Sequence, residues 1–145
     1  MALDKHGRDI IVSLHGRQLG LDGKGNLVGQ GGIRDGYEAA STGSTLAPGG
    51  LSVLSGTAGG VFELHPPSEA LIGQHKSLVC TSGSSAAYLY VKTATGTLLT
   101  SAGVASSLTV ALFSTGGQVL DLQYISTSYI MVKSNLGSVT FAAST

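Results

Sequence analysis

From Leu51 onward the chain is cut into short runs rich in Val, Ile, Leu, Thr, Tyr and Phe, each bounded by Gly, Ser or Pro: Leu51–Leu54, Val61–Leu64, Ser77–Thr81, Ala87–Thr93, Thr97–Thr100, Ser107–Phe113, Gln118–Ser126, Tyr129–Lys133 and Ser138–Ala142. Runs this short leave room for strands and little else. Several alternate with the two-residue period of a strand that buries one face. Leu108, Val110 and Leu112 fall on one side with Thr109 and Ala111 on the other; Leu120, Leu122 and Tyr124 oppose Asp121 and Gln123; Ile130 and Val132 oppose Met131 and Lys133. No window sustains a 3.6-residue apolar stripe, so almost no helix is expected. Gly116-Gly117 between two alternating runs predicts a tight hairpin, because both glycines accept positive φ. Asn135-Leu136-Gly137 predicts a second turn. The pattern predicts an all-β domain over residues 51–145, an antiparallel β-sandwich of jelly-roll type or a small barrel.

The first part of the chain is built differently. Residues 1–38 hold Lys5, Arg8, Arg17, Lys24, Arg34, Asp4, Asp9, Asp22, Asp35 and Glu38, most of the charge in a chain that is only 11% charged. Glycine recurs every few residues from Gly7 to Gly36, a density that opposes helix. The segment reads as an extended glycine-rich arm with strand-like pieces at Ile10–Leu14 and Leu27–Val28. Its apolar residues Ile10, Ile11, Val12, Leu14, Leu19, Leu21, Leu27, Val28 and Ile33, with Tyr37, are too many for a disordered tail and too scattered for a core. They are expected to be buried against a partner, either a neighbouring copy or a shell, with Arg8, Arg17 and Arg34 available to pair with a partner's carboxylates. The competing expectation is that Ile10–Leu14 folds back as an edge strand of the sandwich. Residues 39–50, AASTGSTLAPGG, read as a linker.

Charge and motif content exclude several functions. Basic and acidic residues number 8 each in the 145-residue chain, so bulk charge offers nothing to nucleic acid or an anionic membrane. No apolar stretch approaches a membrane span, and Ser13, His15 and Gly16 interrupt the only apolar run near the N-terminus, so no signal peptide is expected. The single cysteine, Cys80, allows no internal disulfide and reads as a small buried hydrophobe within Leu78-Val79-Cys80. His6, His15, His65 and His75 lack a neighbouring ligand or acid/base partner at useful spacing. Asp22-Gly23-Lys24-Gly25-Asn26 puts a lysine where a calcium loop needs oxygen, and Gly29-Gln30-Gly31-Gly32 has no following helix to cradle phosphate. No catalysis, metal or cofactor is expected. Tyr88 and Tyr90 share a strand face and could stack on a sugar, although packing is the commoner role of such a pair.

The order of elements resembles a known class. RQLGLDGKGNLVGQGG is followed by a small-residue linker, then FELHPPSEALIGQHKSLVC, VLDLQYISTSYIMVK and a closing GSVTF. Residues 62–80 and 118–141 carry most of the likeness, which is to capsid decoration (cement) proteins of tailed bacteriophages. It departs at Tyr129, where many such chains have tryptophan. The resemblance implies a virion structural protein on the outer surface of the head, made in the host cytoplasm, with the major capsid protein as partner. It also implies self-association as a homotrimer, or failing that a homodimer, and stabilisation of the shell. A tail-fibre or receptor-binding β-module that recognises a host glycan is the alternative.

Overall fold

The computed structural model describes residues 36–82, 88–100 and 107–143 in full, and three strand segments before them as backbone. The chain divides into two compact units, Met1–Asp35 and Gly36–Thr145. In the first unit, β1 (Ile10–Leu14), β2 (Arg17–Leu21) and β3 (Leu27–Gly29) form an antiparallel three-stranded sheet in that order. Ile10 pairs with Gly20 and Val12 with Leu19, so a bulge lies between them. The apolar residues of the expected arm therefore sit largely on a small meander of its own. β1 pairs with β2 rather than with a strand of the larger unit. The middle strand escapes a sequence reading because Gly20 leaves it only Leu19 and Leu21 as alternating apolar positions.

The second unit holds β4 (Tyr37–Ala40), β5 (Thr45–Leu46), β6 (Gly50–Leu54), β7 (Val61–Leu64), β8 (His75–Cys80), β9 (Leu89–Thr93), β10 (Thr97–Leu99), β11 (Val110–Phe113), β12 (Val119–Tyr124), β13 (Tyr129–Leu136) and β14 (Thr140–Ala142), with a single 3-10 turn at Glu69–Leu71. The strands form a six-stranded sheet, β10-β13-β12-β8-β6-β4, and a five-stranded sheet, β14-β11-β9-β7-β5. One core lies between them. Leu54, Leu78, Leu120, Leu122, Tyr124 and Ile130 come from the first sheet, and Leu46, Phe62, Leu64, Leu89, Val91, Ala111 and Phe113 from the second. β11 reverses the expected faces: Ala111, on the side opposite Leu108, Val110 and Leu112, turns to the core with Phe113, while Leu112 is only half-buried and Val110 is buried as well.

The sheets are mixed, which corrects the purely antiparallel expectation. β4, β6 and β8 run parallel to one another in one sheet, and β5, β7 and β9 do so in the other. The chain passes from sheet to sheet at every step from β4 to β12. Parallel neighbours need a crossover connection, usually a helix; here the crossover is a strand of the facing sheet. Of the later strands, β10 pairs parallel with β13, and the others close the unit antiparallel: β12 against β8 and β13, and β11 against β9 and β14. Residues 39–50 are accordingly no linker, since they carry half of β4, all of β5 and the first residue of β6.

The turns follow the same winding. Gly116-Gly117 joins β11 to β12, which lie in different sheets, so it is a crossing turn and not the hairpin expected. Gln118 fixes it. Its Oε1 accepts from the backbone N–H of Ser114 (2.6 Å) and Thr115 (3.1 Å), and its Nε2 donates to the carbonyl of Gly137 (2.6 Å). Asn135 braces the crossing from β13 to β14, with Nδ2 donating to the Val139 carbonyl and Oδ1 accepting its N–H, both at 2.8 Å. The hairpin lies between β12 and β13, where Ser126 Oγ accepts from the N–H groups of Ser128 and Tyr129.

Two glycines separate strain from crowding. Gly50 has φ +72°, and a Cβ there would lie 2.1 Å from the Gly36 carbonyl oxygen. Gly117 has φ +89° but open space around it. Gly50→Ala is expected to cost more than about 2 kcal/mol, and Gly117→Ala only the left-handed penalty of about 1 kcal/mol. Urea denaturation of the two variants checks the order; a reversed order would contradict the close seating of β6 against the segment leading into β4.

Candidate functional site

Winding the chain between two sheets leaves each sheet with an outward face, and the side chains there follow from strand register. On the six-stranded sheet, Ala39 of β4 pairs with Val53 of β6, Val53 with Val79 of β8, Val79 with Val119 of β12, and Val119 with Leu136 of β13. All five point away from the core, because their chain neighbours Ala40, Ser52, Leu54, Leu78, Cys80 and Leu120 point into it. An unbroken apolar row thus crosses five strands on a solvent-facing surface, where an antiparallel sandwich normally carries polar residues. Leu136 is 60% exposed and Ala39 is exposed, while the three valines are half-buried. Next to this row lies Tyr37, Leu51, Ser77, Asp121 and Ser134, with Tyr37 70% exposed. Ser77 Oγ donates to Asp121 Oδ1 at 2.6 Å. His75, Ser77, Asp121, Lys133 and Ser134 line a shallow depression of about 430 Å³ on the same side.

The outward face of the five-stranded sheet is more mixed. Val61, Tyr90, Leu112 and Thr140 form one row, and Thr45, Glu63, Lys92, Val110 and Ala142 the next. The rings of Tyr88 and Tyr90 lie 6.3 Å apart, tilted by 54°, with Tyr88 exposed. Val61, Glu63, Lys92 and Thr109 line a second depression of about 390 Å³.

What holds the first face in shape is a buried charge. Lys76 lies on β8 with its side chain turned inward and fully enclosed. Its Nζ donates to Glu38 Oε1 on β4 (3.1 Å) and to the Gly49 carbonyl (3.2 Å). Glu38 Oε1 also accepts from the Ala47 N–H at 2.8 Å and from Ser52 Oγ on β6. Burial pushes the Lys76 ammonium below its ordinary value, and Glu38 restores only part of the loss. For Glu38 burial acts to raise the carboxyl, but the hydrogen bonds from Ser52, Lys76 and Ala47, with the ammonium's charge, outweigh it and hold the group low. Elsewhere in the core, burial pushes the Tyr124 phenol up to about 12, and its hydroxyl donates to the His65 carbonyl at 2.8 Å. Cys80 is buried, as its strand context predicts; burial raises its thiol, and Sγ donates to the Ser82 carbonyl.

The expected contact residues divide sharply. Tyr37 belongs to β4 of the sandwich and is exposed; Glu38, also counted with the arm, is part of the interior tie. Ile10, Ile11, Val12 and Leu14 fall on β1, Arg17, Leu19 and Leu21 on β2, and Leu27 and Val28 on β3. Arg8, Ile33 and Arg34 lie outside the described residues, as do His6, His15 and the Asp22–Asn26 and Gln30–Gly32 parts of the two glycine loops. No family model matches the chain, and a search of curated proteins gives no match. Among the described residues no three His, Cys, Asp or Glu side chains gather where a metal could be held, and no helix is long and apolar enough to cross a membrane.

Reading the sequence missed the valine row and the Lys76–Glu38 pair. The valines were visible only as members of separate runs, and the register of β6 with β8 and of β8 with β12 is what aligns them. The run expected from the sequence begins at Ser77, so Lys76 falls outside the expected strand and nothing local marks it as an inward residue.

The asymmetry of the pair makes a test. Lys76 is fully enclosed while the Glu38 side chain keeps 30% exposure. Glu38→Ala strands a buried ammonium and is expected to cost about 3 kcal/mol; Lys76→Met leaves Glu38 with Ser52, Ala47 and water and is expected to cost about 1 kcal/mol. Because the folded carboxyl is held below its ordinary value of 4.5, its contribution is complete above that value and disappears as pH falls through the lower folded value. Urea midpoints measured from neutral pH into acid should fall in the wild type and fall less steeply in Glu38→Ala; equal slopes would remove Glu38 from the account.

Proposed function

We propose that the chain is a virion structural protein of the capsid decoration kind, bound to the outer surface of a phage head through the major capsid protein and serving to stabilise the shell. The observation that supports this reading is a need for a partner, given by the outward apolar row Ala39–Val53–Val79–Val119–Leu136 on a chain with only 11% charged residues; the row does not by itself say which partner covers it. A face of that kind loses about 25 cal/mol of stabilisation for every Å² of apolar surface left in water, so it belongs in an assembly. The order of sequence elements supplies the capsid; the physical reading supplies the need for a partner. The jelly-roll likeness enters only as a two-sheet sandwich, given the parallel strands.

In this reading the N-terminal unit makes the principal contact with the shell or a neighbouring copy, and the sandwich is the outward platform. Self-association follows the family's habit, a homotrimer before a homodimer. Each contact is weak alone, and repetition across a lattice raises the effective affinity. The glycan-binding alternative rests on the Tyr88–Tyr90 pair, of which Tyr88 is exposed and Tyr90 half-buried, and a glycan array is its direct test.

Sedimentation with shells assembled without this protein is expected to carry the full chain down. Deleting residues 1–35 should leave a folded sandwich with capsid binding lost. The cut belongs at Asp35, since removing residues 1–38 would also take Tyr37 and Glu38 from β4. Full binding by the truncated protein would place the contact on the sandwich; failure of the full chain to sediment would remove the capsid reading.

A further inference from the structure

We infer that the outward face of the six-stranded sheet is a homomeric interface, with a second copy of this chain seated over the row Ala39–Val53–Val79–Val119–Leu136. Three observations favour a copy of this chain over a different partner. First, the row is apolar from end to end across neighbouring strands, and sheets stack face to face about 10 Å apart through such rows. An identical row is a suitable counterpart for Val, Leu and Ala side chains with no hydrogen bonds to satisfy. Second, the charged side chains that the strands turn to this face are Asp121 and Lys133, one of each sign; the other two charged residues of these strands, Glu38 and Lys76, are turned inward and paired. A nearly neutral face meets its own copy without net repulsion, whereas an acidic or basic partner would find no matching field.

Third, the size fits. Six strands at about 4.8 Å spacing and five residues at about 3.3 Å give a face of roughly 500 Å² per copy, or about 1,000 Å² for a pair. That is the lower bound of a specific protein interface. An area at that bound is the size of a reversible contact and not of an obligate dimer. Tyr37 and Leu136, the most exposed apolar side chains bordering or ending the row, supply the larger anchors.

Sedimentation equilibrium of the isolated full chain tests this independently of any capsid. The wild type is expected to associate with rising concentration. Val79→Lys, which puts a charge in the centre of the row, should weaken association at least about tenfold, with circular dichroism and melting unchanged. Val61→Lys on the outward face of the other sheet should associate as the wild type does. Carbene footprinting of the wild type gives a second readout that needs no variant: labelling of Val79, Val119 and Leu136 should drop as concentration rises, while labelling of Val61 and Tyr88 stays constant. A wild type monomeric at every concentration overturns the inference. So does Val79→Lys associating normally, or a footprint on the valine row that does not change with concentration, as it would if the chain's own N-terminal unit covered that face.

Discussion

A lysine with no access to water is the constraint around which the larger unit is organised. Lys76 sits inward on β8, where the next inward residues are Leu78 and Cys80, and a buried ammonium needs compensation or it destabilises the fold. The compensation comes from the beginning of the unit. Glu38 arrives on β4, and the Gly49 carbonyl arrives on the loop between β5 and β6. Ser52 on β6 and the Ala47 N–H complete the carboxylate's shell. One pair of charges thereby joins β4, β6 and β8, three parallel neighbours of the sheet, and fixes the segment that crosses to the other sheet between the first two. β5 has two residues and few contacts of its own to offer, so this tie does much of what a longer strand would.

The register held in this way has a consequence on the opposite side of the same strands. Inward Glu38, Ser52 and Lys76 set which residues face out, and the outward set includes Ala39, Val53 and Val79. A slip of one residue would turn the valines inward and the charges out. The buried pair and the exposed apolar row are therefore two faces of one register, and the interaction surface depends on the interior tie.

Much of the strand content was legible in the chain, because alternation in Leu120–Tyr124 and Tyr129–Lys133 and the glycine-bounded runs are local signals. Strand direction was not. Alternation is the same for parallel and antiparallel neighbours, and Gly116-Gly117 has the same preference for positive φ in a hairpin as in a turn that crosses between sheets. What distinguishes the two is Gln118, whose amide reaches across to Gly137, a contact between residues far apart in the chain. Tyr37–Ala40 and Thr45–Leu46 were masked by their small and polar composition and read as arm and linker. Cys80 was legible as a buried residue because its neighbours are apolar; Lys76 was not, because its partner lies 38 residues away. The three-stranded meander of the first unit was legible in its outer strands and missed in the middle one.

The most direct test of this account is a double-mutant cycle on Glu38 and Lys76, combining Glu38→Ala with Lys76→Met and measuring unfolding free energies at neutral pH. If the pair ties the parallel strands together, the double variant recovers much of what Glu38→Ala alone loses, because no stranded ammonium remains, and the coupling energy exceeds about 1.5 kcal/mol. Losses that add to within about 0.5 kcal/mol would show that the two residues act separately and that the parallel register is held by the hydrophobic core alone.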